Sequence, residues 1–91
     1  MKARHLLIAG RVQGVGFREW LVETARAHHL AGWVRNRADG RVEAVLAGEE
    51  PAIAAVLLLA RRGPPLAEVS DIEENFCEPP EEPGFIRRPS I

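Results

Sequence analysis

The sequence predicts an α+β fold in which two helices pack on one face of an antiparallel sheet. Segments with strand and helix character follow one another in the order strand, helix, strand, strand, helix, strand (βαββαβ). The two adjacent strands are separated by Asp39-Gly40, which is a strong hairpin signal. Each helix carries one apolar stripe, and a shared sheet would bury both stripes.

The first strand is the apolar stretch from His5 to Ala9, which ends at Gly10. The segment from Gly10 to Gly16 contains three glycines in seven positions, which predicts a loop with unusual backbone freedom. A helix follows, which we expect to end near Leu30. Its inward face recurs at intervals of three and four residues and consists of Phe17, Trp20, Leu21, Thr24, Ala25 and His28.

The central part of the chain predicts a hairpin. The stretch from Gly32 to Asn36 is a short strand, and Asp39-Gly40 forms the turn. In the strand that follows, Val42, Ala44 and Leu46 alternate with the residues of the opposite face.

The second helix opens at Glu49-Glu50-Pro51, where acids suit the positive end of the helix dipole and proline suits the first turn. Gly63-Pro64-Pro65 stops this helix. Its apolar stripe consists of Ile53, Val56, Leu57 and Ala60.

The strand after this helix changes phase between Val69 and Ile72, which indicates a bulge or a bend. A tail over residues 85–88 can add a short fifth strand. This order is that of the ferredoxin-like α/β sandwich, which by itself does not indicate a function.

Length and composition limit the classes of protein. Ninety-one residues predict a single domain over residues 1–91. The net charge of −1 argues against bulk electrostatic binding of nucleic acid. The single cysteine, Cys77, excludes an internal disulfide and a multi-cysteine metal site, and it fits the reducing cytoplasm. No apolar run approaches the roughly 20 residues that span a membrane. We therefore expect a cytoplasmic monomer without a membrane partner.

The most informative segment runs from Gly10 to Arg18. A glycine-rich loop before a helix N-terminus directs several amide N–H groups to one place, and the helix dipole adds to them. Arg18 could close the same site through paired hydrogen bonds to oxygens. The segment is therefore either a cradle for a phosphate-sized anion or a structural turn with a surface arginine.

Two common phosphate-binding signatures are excluded. The nucleotide P-loop needs lysine and then serine or threonine after its last glycine, but Phe17 and Arg18 follow Gly16. The dinucleotide fingerprint needs a glycine where Glu19 stands.

The same segment, Gly10-Arg11-Val12-Gln13-Gly14-Val15-Gly16-Phe17-Arg18, resembles the signature of the acylphosphatase family, Gly-x-Val-Gln-Gly-Val-x-Phe-Arg. A second family signature is matched by residues 32–36, then by residues 40–43 and Gly48. Residues 63–67 resemble the family's turn after its second helix. Two departures stand out. His28-His29-Leu30 replaces a frequent Leu-Gly-Leu, and Phe85 and Ile86 are adjacent where the family has one residue between them.

The resemblance implies roles for individual residues. Arg18 matches the family's phosphate-binding arginine, and Asn36 matches the asparagine that positions the attacking water. The loop whose backbone amides hold the phosphate is matched by Gln13, Gly14, Val15, Gly16 and Phe17. The implied reaction is hydrolysis of a small acyl phosphate to a carboxylate and inorganic phosphate, with neither metal nor cofactor.

Several features have an alternative interpretation. The whole chain could be a non-catalytic, anion-binding module of the kind found in larger carbamoyltransferase maturation proteins. RNA binding on the sheet face is disfavoured, because the chain has five aromatic residues and no basic–aromatic run.

His28-His29 suits a helix end better than a metal site, since adjacent helical residues point about 100° apart. The basic rim of Arg35, Arg37 and Arg41 either attracts anionic substrates or is balanced by Asp39 and Glu43.

Overall fold

A computed structural model describes all 91 residues. The elements are β1 (Lys2–Arg11), α1 (Phe17–Ala27), β2 (Ala31–Asn36), β3 (Val42–Gly48), α2 (Glu50–Ala60), β4 (Glu68–Phe76) and β5 (Phe85–Arg87). The predicted order of strands and helices is confirmed, including the short fifth strand. None of the helices is long and apolar enough to cross a membrane.

The five strands form one sheet in the order β4-β1-β3-β2-β5. The four long strands pair antiparallel, as the sequence predicts. The short β5 pairs parallel to β2, so the sheet as a whole is mixed. The chain leaves β4 beside Arg4 at the start of β1 and enters β5 beside Gly32 at the start of β2. The connection therefore crosses along one end of the sheet, and β5 runs in the same direction as β2.

The predicted irregularity in the fourth strand is a bulge at the pairing of β1 with β4. Ala9 pairs with Asp71 and Gly10 pairs with Val69, which leaves Ser70 without a partner. Gly10 is required here because a Cβ atom on it would lie 2.1 Å from the carbonyl oxygen of Glu68. The bulge lies where β1 approaches the glycine-rich loop.

The core lies between the sheet and the two helices and contains 16 buried residues. The predicted stripe of α1 is buried at Phe17, Leu21 and Ala25, and that of α2 at Ile53, Val56 and Ala60. Trp20 and Leu57 are partly buried and pack against the same cluster. The stripes therefore fix α1 over the half of the sheet that contains β2 and β5.

Helix α1 ends at Ala27, before the predicted end near Leu30. The backbone N–H of Leu30 donates to the carbonyl oxygen of Ala25, and that of His29 donates to Arg26. His29 has φ 59°. These bonds and this left-handed residue form a Schellman motif, which ends the helix while Leu30 enters the core.

Candidate active site

The loop between β1 and α1 presents an uncapped helix N-terminus. Gly16 is the N-cap residue of α1, with φ 80°, and no side chain hydrogen-bonds to the first turn. Gly14 is also left-handed, with φ 74°. A Cβ atom on either glycine would meet no atom within 4 Å. No backbone N–H group of residues 13–19 donates a hydrogen bond within the protein. These amides are therefore free for a ligand, and the helix dipole favours an anion there.

A cleft of about 170 Å³ lies at this N-terminus. It is large enough for several water molecules, each of which occupies about 30 Å³, or for a phosphate group. The lining residues are Val12, Gly14, Gly16, Phe17, Arg18, Glu19, Asn36 and Arg87. The cleft thus brings together Arg18 and Asn36, the two residues with implied catalytic roles, and part of the implied phosphate loop.

Arg18 is partly buried in α1, and its side chain forms no hydrogen bond or salt bridge with another residue. Its guanidinium therefore keeps all five N–H donors for a ligand. A planar guanidinium can donate two parallel hydrogen bonds to a phosphate group.

Asn36 is the last residue of β2, and its backbone is fixed on both sides. It pairs with Val42 of β3, and its carbonyl oxygen accepts a hydrogen bond of 3.1 Å from the N–H of Ile91. Its side-chain Oδ1 atom is buried and has no hydrogen-bond partner in the protein. A buried acceptor without a donor is unusual and costs about 1–3 kcal/mol. This oxygen can accept a hydrogen bond from a molecule in the cleft.

The side chains of Gln13 and Val15 lie outside the cleft. The Gln13 amide donates to the carbonyl oxygens of Arg37 at 2.8 Å and Arg41 at 2.9 Å. Val15 packs against the core. These two residues can therefore meet an anion only through their backbone.

The basic rim is paired with acids. Arg37 and Arg41 contact Asp39 at 3.0 and 2.8 Å, and Arg35 contacts Glu43 at 2.8 Å. Hydrogen bonds from the side chain and backbone of Arg41, and from Arg37, hold the pKa of Asp39 well below its usual range. This pairing supports the interpretation of a balanced edge.

Glu43 also binds His5 at 2.6 Å on the face of the sheet away from the helices. Burial raises the pKa of the Glu43 carboxyl, but hydrogen bonds from His5 and Arg35 outweigh burial. The net effect is a lowered pKa. Glu43 is therefore held as a carboxylate by its neighbours.

The other reactive side chains lie away from the cleft. A ring nitrogen of His28 contacts the carbonyl oxygen of Thr24 at 2.9 Å at the end of α1. Cys77 packs beside a small cluster on the opposite sheet face, where burial and the charge of Glu78 raise the pKa of its thiol. No group of three or more His, Cys, Asp or Glu side chains is placed to hold a metal ion.

Sequence reasoning missed three lining residues, namely Val12, Glu19 and Arg87. Arg87 lies in β5, in the same phase as the buried Phe85, and therefore points to the helix side of the sheet. Its guanidinium is 3.9 Å from the carboxylate of Glu19. The only signal in the sequence is that Ile86 directly follows Phe85. Arg87, and not an isoleucine, therefore lies two residues after Phe85 and shares its inward face.

Comparison with known proteins identifies the family. The family model described as Acylphosphatase matches residues 4–86. The acylphosphatase of Acidiphilium cryptum (strain JF-5) is 62% identical over 88 residues, which are 97% of each chain. The crystal structure of acylphosphatase from Bacillus subtilis superposes with a TM-score of 0.91 at 37% identity, covering 97% of this chain and 99% of that one.

A larger protein contains a similar unit. The crystal structure of T. kodakarensis HypF matches with a TM-score of 0.87 and 37% identity over 100% of this chain, but over only 12% of its own length. The fold thus occurs both as a chain of this size and as a small part of a larger one. Because the family model and a relative of 62% identity both span most of the sequence, this chain belongs to the acylphosphatase family.

Proposed function

We propose that this chain hydrolyses the carboxyl–phosphate bond of small acyl phosphates. One observation carries the proposal. A single cleft joins the uncapped N-terminus of α1, the unpaired guanidinium of Arg18 and the partnerless Oδ1 atom of Asn36. A donor set for a phosphate and an acceptor for a water molecule therefore face the same small space.

The phosphate is held by backbone and side-chain donors. The amides of residues 13–17, which precede Arg18, and the first turn of α1 supply N–H groups, and Arg18 supplies a paired contact. These donors neutralise charge on the equatorial phosphoryl oxygens. Because phosphoryl transfer depends mainly on positioning and charge stabilisation, a rigid loop and one arginine supply much of the required catalysis.

Asn36 orients the attacking water. Its amide does not act as a base, but its Oδ1 atom accepts a hydrogen bond and directs the water oxygen toward phosphorus. The new bond joins the water oxygen to phosphorus, and the bond from phosphorus to the acyl oxygen breaks with its electron pair. A phosphoryl oxygen takes the proton of the water. The leaving carboxylate has a conjugate acid of pKa about 4, so it needs no general acid at neutral pH.

The test is hydrolysis of benzoyl phosphate in the presence of EDTA. Arg18→Ala and Asn36→Ala should each lower kcat by about 10²–10³ or more, since loss of one preorganised group has this effect. Arg61→Ala, at the exposed end of α2, and Asn75→Ala, on the exposed edge strand β4, are the matched controls and should keep full activity. Full activity of Arg18→Ala would contradict the proposed site.

The second candidate function is a non-catalytic, anion-binding module. The observation that favours it is the match to a small part of T. kodakarensis HypF. Absence of benzoyl phosphate hydrolysis, together with binding of inorganic phosphate that Arg18→Ala removes, would favour this alternative. Calorimetry with inorganic phosphate measures that binding directly.

We further propose that residues 1–91 act as one cytoplasmic domain and as a monomer. The two helix stripes and the sheet share one core of 16 buried residues, which supports a single cooperative unit. Light scattering after size-exclusion chromatography tests the monomer, and coincidence of fluorescence and circular dichroism transitions in urea tests the single unit.

A further inference from the structure

A second cavity adjoins the cleft and is not used by the proposed reaction. This cavity, the outer groove, has a volume of about 320 Å³ and is lined by Glu19, Val22, Glu23, Arg26 and Arg87. Glu19 and Arg87 line both the cleft and the outer groove. The part of a substrate that extends beyond its phosphate can therefore pass from the cleft into the groove beside these two side chains.

The two walls of the outer groove carry opposite charges. The α1 wall presents Glu19 and Glu23, whereas the β5 wall presents Arg87. Val22 adds the apolar surface that methylene groups prefer. Arg26 is also an α1 residue that lines the groove, but its Nε atom donates to the carbonyl oxygen of Phe85 at 3.1 Å. Its guanidinium therefore lies against β5 and adds to the positive charge of that wall.

Arg87 is weakly engaged by the protein. Its one ionic partner is Glu19 at 3.9 Å. The side chain of Arg87 is 47% exposed and that of Glu19 is 80% exposed. An ion pair this long and this accessible to solvent contributes little to stability. Glu19 can therefore turn into solvent and leave the Arg87 guanidinium for an anionic group of a ligand.

We propose that Arg87 determines acyl-group specificity and favours acyl phosphates whose acyl part ends in a second carboxylate. This inference rests on the proposed function. Arg18 and the loop hold the phosphate, the methylene groups lie along Val22, and the second carboxylate contacts Arg87 on the basic wall. Glu19 and Glu23 repel a carboxylate placed against α1. The second carboxylate of the substrate is therefore directed toward Arg87.

Succinyl phosphate and butyryl phosphate form a matched pair of substrates, since both have four acyl carbons and differ in a terminal carboxylate against a methyl group. Because Arg87 also lines the cleft, the test compares the two substrates rather than the absolute activity. Arg87→Gln should lower the ratio of kcat/KM for succinyl phosphate to that for butyryl phosphate by about tenfold, as expected for loss of one charge-assisted hydrogen bond. Glu19→Gln should raise the preference for succinyl phosphate, because it removes the competing carboxylate.

The control is Arg88→Gln, the next residue along the chain. Arg88 binds Glu82 at 2.6 Å and stacks on Trp33, so it is committed elsewhere and should leave both substrates unchanged. An unaltered substrate ratio in Arg87→Gln would overturn the inference.

Binding separates this inference from the proposed hydrolysis. The same comparison can be made with non-hydrolysable phosphonate analogues of the two substrates. Arg87→Gln should raise the Kd of the succinyl analogue about tenfold more than the Kd of the butyryl analogue. If the wild-type chain hydrolyses neither substrate, the proposed function fails, and the calorimetric ratio still decides the role of Arg87. Equal effects of Arg87→Gln on both analogues would reject it.

Discussion

The side-chain amide of Gln13 donates a hydrogen bond of 2.8 Å to the backbone carbonyl oxygen of Arg37, the residue directly after Asn36. A second bond of 2.9 Å runs from the same nitrogen to the carbonyl oxygen of Arg41. One amide group therefore sets the position of the loop before α1 relative to the hairpin that carries Asn36.

We expect Gln13→Ala to lower the free energy of unfolding by about 1–2 kcal/mol, because two carbonyl oxygens lose their donor. It should also lower kcat for benzoyl phosphate, since loop and hairpin no longer hold a fixed distance. Urea denaturation and steady-state kinetics measure the two effects. Gln13→Glu should be worse, because a carboxylate would face two carbonyl oxygens. A destabilised Gln13→Ala variant with unchanged kcat would show that the loop keeps its place without these bonds.

The left-handed backbone of Gly16 allows a test of the phosphate loop. Ala at this position meets no atom within 4 Å, so Gly16→Ala introduces backbone strain without a clash. The cost should be about 1 kcal/mol, as for other residues forced into this conformation. Hydrolysis should fall as well, because the amides aimed at the phosphate rotate.

Gly84→Ala is the matched control. Gly84 has φ 76° and equally open surroundings, but it lies before β5 and away from the cleft. The two variants should lose similar stability in thermal denaturation, and only Gly16→Ala should lose activity. Equal activity of the two variants would show that hydrolysis does not depend on the backbone conformation of the loop.

His29→Gly should stabilise the protein by about 1 kcal/mol. His29 has φ 59° at the end of α1, in the position where a Schellman motif usually has glycine. A residue with a Cβ atom is strained in this conformation, and glycine is not. His28→Gly should instead destabilise, since His28 has φ −99° and contacts the carbonyl oxygen of Thr24 through its ring. Melting temperatures of the two variants decide the point.

The lowered pKa of Glu43 predicts that the free energy of unfolding depends on pH in acidic solution. Its pKa in the folded state is lowered, so its ionised form stabilises the fold. This contribution is complete above the unfolded-state pKa of about 4.3 and is lost as the pH falls through the lower folded-state pKa. Glu43→Gln should therefore be destabilised by about 1–2 kcal/mol at pH 7, and the gap to the wild type should narrow in more acidic solution.

Urea midpoints at several pH values measure this gap. Glu81→Gln is a suitable comparison, because Glu81 is exposed and its gap should stay near zero throughout. A gap for Glu43→Gln that stays constant down to about pH 3 would show that its carboxylate form does not stabilise the fold.

Most of the fold could be predicted because its signals are local. The stripe that includes Leu21 and Ala25, the Asp39-Gly40 turn and the phase change before Ile72 each lie within one element. The Schellman end of α1 was harder, because His29 adopts a conformation that sequence patterns assign to glycine.

The candidate site was predictable only where a motif names it. Arg18 and Asn36 came from such motifs, and the structure brings them to one cleft. The pairing of Gln13 with the hairpin and the position of Arg87 depend on contacts between distant segments. The parallel pairing of β5 with β2 fixes Arg87, and periodicity within one strand carries no information about it.

The sheet order also bears on how fast the site forms during folding. Strand β1 lies between β3 and β4, which follow it in the sequence by dozens of residues. The cleft in turn needs Gly14 and Arg87 together. Closing such long loops carries an entropy cost before any contact rewards it, so topologies of this kind fold slowly for their size. In a refolding experiment, recovery of the Arg87-dependent preference should therefore report the docking of β5.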